Sequence, residues 1–234
     1  MEVLFILLVL FDVVALVMIL SFRYRSKKKQ NLINHYGDNA EERVSAYIRK
    51  HQPGCILLND IYLKTEVGLT QLDHILICRH GIFVIETKSN HGHIVIGPRN
   101  WVQYYKEKTV KFHSPILQNR IHTKALRNVL LQEKSLSGIP IFGVTVFTSR
   151  NVTFSTPVKA VIKLPQLNSL IRRTGMGSQY YKNASKKTKT HPFKGGLYRS
   201  TMIKIEKHIL NNAVKSRLKQ GQHRNKIYNL THRF

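Results

Sequence analysis

Three charged side chains in one stretch of the chain have the types and spacing for phosphodiester chemistry. Asp73 is followed, after a short turn, by Glu86-Thr87-Lys88. Two carboxylates with water suit Mg²⁺ or Mn²⁺, which prefer oxygen ligands. Lys88 is two residues from Glu86, so on a strand both side chains point to the same face. A cation there can hold a phosphate and stabilise an attacking hydroxide.

A β-hairpin is needed to bring these groups together. Strand-like runs at 72–78 and 82–86 are separated by His80-Gly81, which is typical of a tight turn. Asp73 is near the start of the first run and Glu86 is at the end of the second. The two carboxylates are therefore expected to converge across adjacent strands.

Two further positions are expected to support this site. Glu41 or Glu42, on a preceding helix, would add a third carboxylate, and the adjacent acids leave its register open by one residue. Gln118, at the start of a later helix, would position the water or orient Lys88. The predicted catalytic residues are Asp73, Glu86, Lys88, Gln118 and Glu41, and the predicted ligands of Mg²⁺ or Mn²⁺ are Asp73, Glu86 and Glu41.

The same spacing also fits an exposed, charge-paired hairpin with no catalytic role. Two observations favour chemistry. The apolar Val84-Ile85 would hold Glu86 at the edge of the core, and the acids are locally concentrated in a strongly basic chain. Catalysis is therefore the hypothesis, and the paired hairpin is its alternative.

Other histidines and aromatic residues have structural interpretations. His91-Gly92-His93 lacks a third metal ligand at a helical spacing, so a turn explains it better. His74 is expected to be structural or to donate a hydrogen bond to the site. Core packing is favoured over base stacking for three aromatic residues of one strand, Trp101, Tyr104 and Tyr105.

The remaining periodicity predicts a mixed α/β fold. The predicted helices cover 38–51, 115–131, 164–172 and 197–218, and the predicted strands cover 55–58, 72–78, 82–86, 93–96, 101–105, 141–148 and 158–163.

Composition indicates a polyanionic partner. The chain has 234 residues, with 38 Lys or Arg against 12 Asp or Glu and a formal charge of +26. This length excludes a large multidomain enzyme, and the charge favours nucleic acid or anionic lipid as a partner. Only 2 cysteines are present. They exclude a disulfide framework and a cysteine-rich zinc site, and they indicate a reducing compartment.

The first 22 residues predict a transmembrane anchor. Residues 3–22 are apolar, broken only by Asp12 and closed by Ser21 and Phe22, and their length matches a ~30 Å hydrocarbon core. Asp12 costs about 3 kcal/mol, which the surrounding aliphatic side chains outweigh. A cleaved signal peptide is the weaker alternative, because Glu2 precedes the apolar stretch and Arg23 follows it at once.

The basic cluster at 23–29 follows this span, and no basic residue precedes it. By the positive-inside rule, the N-terminus faces outward. The prediction is a single-pass protein of the cell membrane whose soluble domain is cytoplasmic. The basic cluster would contact anionic lipids.

The C-terminal region, 175–234, is rich in Lys and Arg and has a single acid, Glu206. It would follow a nucleic-acid backbone, lie on an anionic leaflet, or form a solvated basic surface. Nucleic acid is the favoured partner for 182–194.

Several sequence blocks resemble the NERD domain, the nuclease-related domain, over roughly Asn34 to Ser149. The blocks occur in order and are Gly37-x-x-x-Glu41, Leu58-Asn59-Asp60-Ile61, Gln71-Leu72-Asp73-His74-Ile75, Gly81-Ile82-Phe83-Val84-Ile85-Glu86-Thr87-Lys88, Gly92-His93-Ile94, Trp101 and Pro115-Ile116-Leu117-Gln118. This resemblance implies a restriction-endonuclease-like fold of the PD-(D/E)xK type, with a mixed sheet flanked by helices.

In that superfamily, the Asp and Glu that match Asp73 and Glu86 hold a divalent metal, and the matching Lys assists hydrolysis. Ala40 stands where the family usually has a second glycine in its first helix, and alanine is the better helix former.

The sequence therefore predicts a membrane-anchored, metal-dependent nuclease of DNA or RNA, with DNA the favoured substrate. A catalytically silent, tethered nucleic-acid-binding module is the alternative, and a lipid-bound interaction scaffold is a third. The predicted segments are an anchor at 1–22, a basic linker at 23–36, the nuclease-like domain at 37–149, a completing strand and helix at 150–174, and the basic region at 175–234.

Overall fold

The computed structural model describes residues 2–177 and 196–214. The chain divides into two units, Met1–Asn39 and Ala40–Phe234. Among the described residues, no helix is both long enough and apolar enough to cross a membrane. The structure thus lends no support to the anchor predicted for 1–22, which stays a prediction.

Strands and helices alternate irregularly along the chain. The strands are β1 (Ile56–Thr65), β2 (Gly68–Cys78), β3 (Gly81–Lys88), β4 (Gly92–Val95), β5 (Asn100–Tyr105), β6 (Lys108–His113), β7 (Ile141–Phe147), β8 (Val152–Phe154) and β9 (Val161–Lys163). The helices are α1 (Glu2–His51), α2 (Pro115–Leu131), α3 (Leu167–Gly177) and α4 (Arg199–Asn212), and a 3₁₀ turn (Leu164–Gln166) precedes α3.

Five strands form the main sheet in the order β1-β2-β3-β7-β9. The pairs β1–β2 and β2–β3 are antiparallel, whereas β7 is parallel to both β3 and β9. The remaining strands form a smaller sheet in the order β6-β5-β4-β8, with β8 parallel to β4. Both sheets are mixed, so the predicted mixed α/β class is confirmed.

Helices cover both faces of the main sheet. Ile75 and Val84 belong to a core with residues of α2 and α4. Leu76 and Phe83, which point to the opposite face, pack with residues of α1 and α3, among them Val44. Because side chains alternate along a strand, each residue of β2 and β3 is assigned to one of these two layers.

The strands extend beyond their predicted bounds. The predicted strand at 55–58 continues to Thr65 as β1, and its pairing with β2 is interrupted at Asp60 without a change of register. Asp60 has a φ of +54°, and the register passes from Asn59↔His74 directly to Ile61↔Leu72. β6 and β8 were not predicted. Both pair with strands of the small sheet, and neither has a strong alternating pattern of its own.

Cys55 and Cys78 form a disulfide. Cys55 directly precedes Ile56 and Cys78 directly follows Ile77, and because Ile56 and Ile77 are paired in antiparallel strands, the β1–β2 register sets the two cysteines opposite each other. The cysteine count did not predict this bridge. It is at odds with the expectation of a reducing compartment, because disulfides persist mainly in oxidising ones.

The segments predicted at 150–174 and 197–218 correspond to β8, β9, the 3₁₀ turn, α3 and α4, of which β9 joins the main sheet beside β7. The basic stretch at 182–194 and the end of the chain from 215 lie outside the described residues.

Candidate active site

The predicted carboxylates and lysine lie on the face of the main sheet that α2 covers. Asp73 has the strand parity of Ile75, and Glu86 and Lys88 have that of Val84. The antiparallel register pairs His74 with Ile85, which brings Asp73 beside Glu86 at the next position. The structure therefore brings together the three side chains that the spacing selected.

Glu86 is the centre of this arrangement, with a side chain only 1% exposed. Its Oε1 accepts a hydrogen bond from Lys88 Nζ at 2.6 Å, and the same ammonium donates to Gln118 Oε1 at 3.1 Å. Gln118 thus orients Lys88 from the first turn of α2, as its position in the sequence suggested.

A histidine that the sequence analysis did not select completes the surroundings of Glu86. His122 Nδ1 lies 3.2 Å from Glu86 Oε2, and its side chain is 3% exposed. The contact has the distance of an ion pair but not the direction of a hydrogen bond, so Glu86 Oε2 has no directed donor among the described residues. Four-residue spacing from Gln118 is the signal that would have identified His122, because it puts both on one helix face.

Asp73 is held by the backbone of the opposite strand. The Thr87 N–H donates to Asp73 Oδ2 at 2.8 Å. Burial raises the pKa of Asp73 well above its usual value, and the charges of Glu86 and Glu41 raise it further. Burial and the neighbouring carboxyls therefore act together to increase the proton affinity of Asp73.

The structure distinguishes the two candidate acids on α1. Glu41 is half-buried, and its charge acts on both Asp73 and Lys88. Glu42 is exposed and accepts a hydrogen bond from Arg49 at 3.1 Å. Glu41 is therefore the acid that faces the site.

Opposite charges determine the ionisation of Glu86 and Lys88. Burial works to raise the pKa of Glu86, but Lys88 and His122 outweigh it and lower the pKa to about 2. Burial works to lower the pKa of Lys88, and the negative charges of Glu86 and Asp73 raise it instead. The Glu86–Lys88 pair is therefore charged at neutral pH.

A second buried histidine lies behind the site, on the α1 face. His74 Nδ1 is 2.9 Å from Asn59 Oδ1, and its Nε2 is 3.0 Å from Thr87 Oγ1. An amide oxygen only accepts, so Nδ1 carries the proton and Nε2 accepts from the Thr87 hydroxyl. Ser45 Oγ on α1 lies 3.4 Å from the same Nδ1. This ring links β1, β2 and β3 at the residue between Glu86 and Lys88.

α2 is attached to the sheet by a buried amide. Asn119 Nδ2 donates to the carbonyl oxygens of Val84 at 3.1 Å and Val144 at 2.9 Å. Gly143 makes this approach possible, because a Cβ there would lie 3.4 Å from Asn119 Cγ and 3.3 Å from Thr123 Cγ2. These hydrogen bonds hold the helix face that carries Gln118 against the sheet, next to Lys88.

Comparison with known families identifies a domain that includes these residues. Residues 36–148 match the model of the NERD family, the nuclease-related domain. These residues form a nuclease-related domain. It contains Asp73, Glu86, Lys88 and Gln118 together with Glu41 of α1, and it ends just after β7.

One relative of the chain comes from Bacillus anthracis and is described as an uncharacterized protein. It is 32% identical over 109 residues, which cover 45% of this chain and 51% of the relative. The chain therefore spans about half the length of the curated relative it matches. No solved structure matches the chain.

The donor set of the nuclease-related domain suits a divalent cation with oxygen preference. Glu86 Oε2 is buried without a directed donor, and Asp73 lies beside it with its proton affinity raised by burial and by like charges. Mg²⁺ needs only one or two protein carboxylates, since it keeps several waters. In the part of the chain that the structure describes, no three His, Cys, Asp or Glu side chains group closely enough to hold a metal. Asp73 and Glu86 fit as a two-carboxylate site, with Glu41 farther out.

The aromatic residues of β5 have different surroundings. Trp101 is fully buried, as core packing requires, whereas Tyr104 is 47% exposed and Tyr105 is 39% exposed. Core packing is therefore wrong for the two tyrosines. His91 contacts the ring of Tyr105 edge-on at 4.0 Å, and His93 Nδ1 lies 3.0 Å from Thr153 Oγ1.

Proposed function

We propose that the nuclease-related domain hydrolyses phosphodiester bonds of nucleic acid with a divalent metal. DNA is favoured over RNA as the substrate. One observation carries the proposal. A carboxylate buried to 1% exposure is held between Lys88 and His122 and lies beside a second carboxylate, Asp73. A buried charge is costly unless its partners compensate it in full, and one oxygen of Glu86 has no directed donor. Perturbed ionisable groups of this kind are concentrated at functional sites.

Asp73 and Glu86 would hold the metal, with Glu41 as the third acid. A bound Mg²⁺ or Mn²⁺ neutralises phosphate charge and lowers the pKa of water. The other tasks belong to the protein. Lys88, whose side chain is 20% exposed, can donate from Nζ to a phosphate oxygen while Gln118 Oε1 keeps its orientation.

His122 and Thr87 position the carboxylates in this scheme. His122 limits the rotation of Glu86 by its contact with Oε2. The Thr87 N–H donates to Oδ2 of Asp73 and so limits the rotation of this carboxyl. Pre-set polar groups of this kind need little reorganisation during reaction, which is the main source of electrostatic rate enhancement.

A catalytically silent, nucleic-acid-binding module is the second candidate. The closed Lys88–Glu86 pair favours it, because at 2.6 Å the ammonium occupies an oxygen that a metal would use. Binding without cleavage would distinguish this candidate from a nuclease.

The test uses the full chain with linear DNA, circular DNA and RNA, each with Mg²⁺, Mn²⁺ or EDTA. Asp73→Asn and Lys88→Met keep the side-chain size and remove one charge each. Lys124→Met is the matched control, since Lys124 is on the same helix as Gln118 but pairs with Glu66 at the surface. We expect metal-dependent cleavage that both site variants lose by at least about 100-fold and the control keeps. Equal cleavage by all four proteins would refute the proposal.

We also propose that residues 1–22 anchor the chain in the cell membrane, with the N-terminus outside and the domain in the cytoplasm. The support is the apolar run followed by the basic residues of 23–29, which would contact anionic lipid. Membrane fractionation of the full chain, beside a chain lacking residues 2–22, tests this. Recovery of both chains in the soluble fraction would refute the anchor.

A further inference from the structure

The small sheet has one face in the core and one face in solvent. Ile94, Trp101 and Gln103 point inward and are buried. Their neighbours along the strands point outward, and the register aligns them in rows across the sheet. The outer face consists of His93 and Val95 from β4, Asn100, Val102 and Tyr104 from β5, Thr109, Lys111 and His113 from β6, and Thr153 from β8.

This outer face has the composition of a nucleic-acid platform. Tyr104 is 47% exposed and Val95 is 38% exposed, although large side chains at such positions usually gain by burial. The face contains Lys111 and no carboxylate, and among its flanking residues Lys106 and Lys108 outnumber Glu107. An exposed aromatic ring beside basic residues is how proteins bind single strands, because each base stacks on a ring while cations neutralise phosphates.

The platform is close to the candidate active site. Only Ser89, Asn90 and His91 separate Lys88 from the start of β4, so the chain between them spans at most about 14 Å. Asn90 Nδ2 donates to Gln103 Oε1 at 2.7 Å, which fixes this connection to β5. The row that contains His93 and Tyr104 is the outer row nearest to Lys88.

We propose that the outer face of the small sheet binds single-stranded nucleic acid, with Tyr104 stacking on a base and Lys111 contacting a phosphate. The inference rests on the proposed function in one respect only, which is that the bound strand would continue to the candidate active site at Lys88. Rows on one strand face are two residues, or about 6.7 Å, apart, which is the right order for successive nucleotides of an extended strand. Binding itself needs neither the metal nor turnover.

The experiment measures the binding of the full chain to fluorescein-labelled single-stranded DNA, single-stranded RNA and duplex DNA by anisotropy. EDTA is present throughout, so a failure of catalysis does not affect the result. The variants are Tyr104→Ala, Tyr104→Phe and Lys111→Gln. The controls are Tyr198→Ala, which removes a 78% exposed tyrosine from another part of the fold, and Lys50→Gln, an exposed lysine of α1.

We expect Tyr104→Ala to weaken single-strand binding by about 5- to 100-fold, the measured range for one stacked base. Tyr104→Phe keeps the ring and should stay within about threefold of the wild type. Lys111→Gln should reduce the slope of log Kd against log salt by about 0.7, as expected for one lost phosphate contact. If the variants weaken the binding of single-stranded DNA and RNA equally, the outer face recognises the bases and phosphates that both polymers share.

Three results would overturn the proposal. The first is an equal effect of Tyr104→Ala and Tyr198→Ala. The second is a loss on Tyr104→Ala that is as large for duplex DNA as for single strands. The third is unchanged nucleic-acid binding together with lost binding to vesicles of anionic lipid or lost self-association, which would assign the face to a membrane or to a second copy of the chain. Unchanged Trp101 fluorescence verifies the fold in every variant, since this tryptophan is buried beneath the platform.

Discussion

Replacing His74 by Asn is expected to remove a large part of the acid sensitivity of the fold. Burial lowers the pKa of His74 from 6.5 to about 4, the nearby Glu86 raises it in part, and Arg49 lowers it further. The folded ring is therefore neutral down to about pH 4, whereas the unfolded chain takes up a proton below pH 6.5. Stability from this group is fully present above pH 6.5 and is lost as the pH falls toward 4.

The magnitude follows from the shift. Each pH unit within this window costs about 1.4 kcal/mol for one proton, so the whole window corresponds to about 3 kcal/mol. Glu86 enters only at lower pH, because its lowered pKa makes its own contribution disappear below the unfolded value of 4.5. The change in the His74→Asn deficit between pH 6.5 and pH 5 therefore isolates His74, because the other titrating groups act on the wild type and the variant alike, and this change is about 2 kcal/mol.

The assay is urea unfolding of the full chain in EDTA, followed by the fluorescence of Trp101, the single tryptophan. His74→Asn keeps a donor for Asn59 Oδ1 and loses the acceptor for Thr87. We expect the variant to be less stable than the wild type at pH 6.5 and to lose about 2 kcal/mol of that deficit by pH 5. Ser45→Ala removes a weak contact to the same ring and leaves the titrating group, so its deficit should be equal at both pH values.

A change of less than about 0.5 kcal/mol in the His74→Asn deficit between the two pH values would refute the reasoning. It would mean that the ring is protonated in the folded state or that the unfolded chain does not take up the proton.

Three further outcomes are expected. His122→Phe should lower kcat about 10-fold or more while KM changes less than threefold, because Glu86 Oε2 loses its polar neighbour. His122→Asn should recover most of the loss, since an amide nitrogen can take the place of Nδ1 beside this oxygen, and equal kcat in both variants would contradict positioning of Glu86 by a polar contact. Asn119→Leu should cost about 2 kcal/mol or more in urea unfolding, because two buried carbonyl groups lose their donor. Reduction of the Cys55–Cys78 bridge should cost about 3 kcal/mol for a separation of 23 residues, and the double Ser variant should match the reduced wild type.

The hairpin of the site was predictable because its rules are local. Alternation with a period of two put Glu86 and Lys88 on one face, and the tight turn before Gly81 set Asp73 opposite Glu86. These features depend on neighbouring residues, so the sequence alone sufficed to find them.

α2 shows why other parts of the site were not predicted. Its bounds, Pro115–Leu131, agree with the prediction, but its apolar residues do not all lie on the buried face, since Ile121 is 48% exposed. The buried face instead includes Asn119 and His122. Their partners come from strands distant in sequence, and polar residues do not count toward an apolar pattern, so no window of sequence indicates that they point inward.

β6 illustrates the same limit in the small sheet. Five of its six residues are exposed, and its existence depends on pairing with β5. The missed strand also concealed the platform. Because β6 was not predicted, Tyr104 and Tyr105 were expected to pack in the core, and only the assembled sheet shows that they are exposed.

The strongest functional signal is Glu86, a charged residue inside the buried run of β3. β3 is buried from Gly81 through Thr87, and an apolar residue at position 86 would continue its run at no electrostatic cost. A carboxylate there is stable only because Lys88 and His122 compensate its charge from two different elements, and even so one oxygen lacks a directed donor. Replacing such a buried pair by apolar residues is often neutral or stabilising. Fold stability alone therefore does not account for Glu86, whereas a requirement for a fixed, dehydrated negative charge beside Asp73 does.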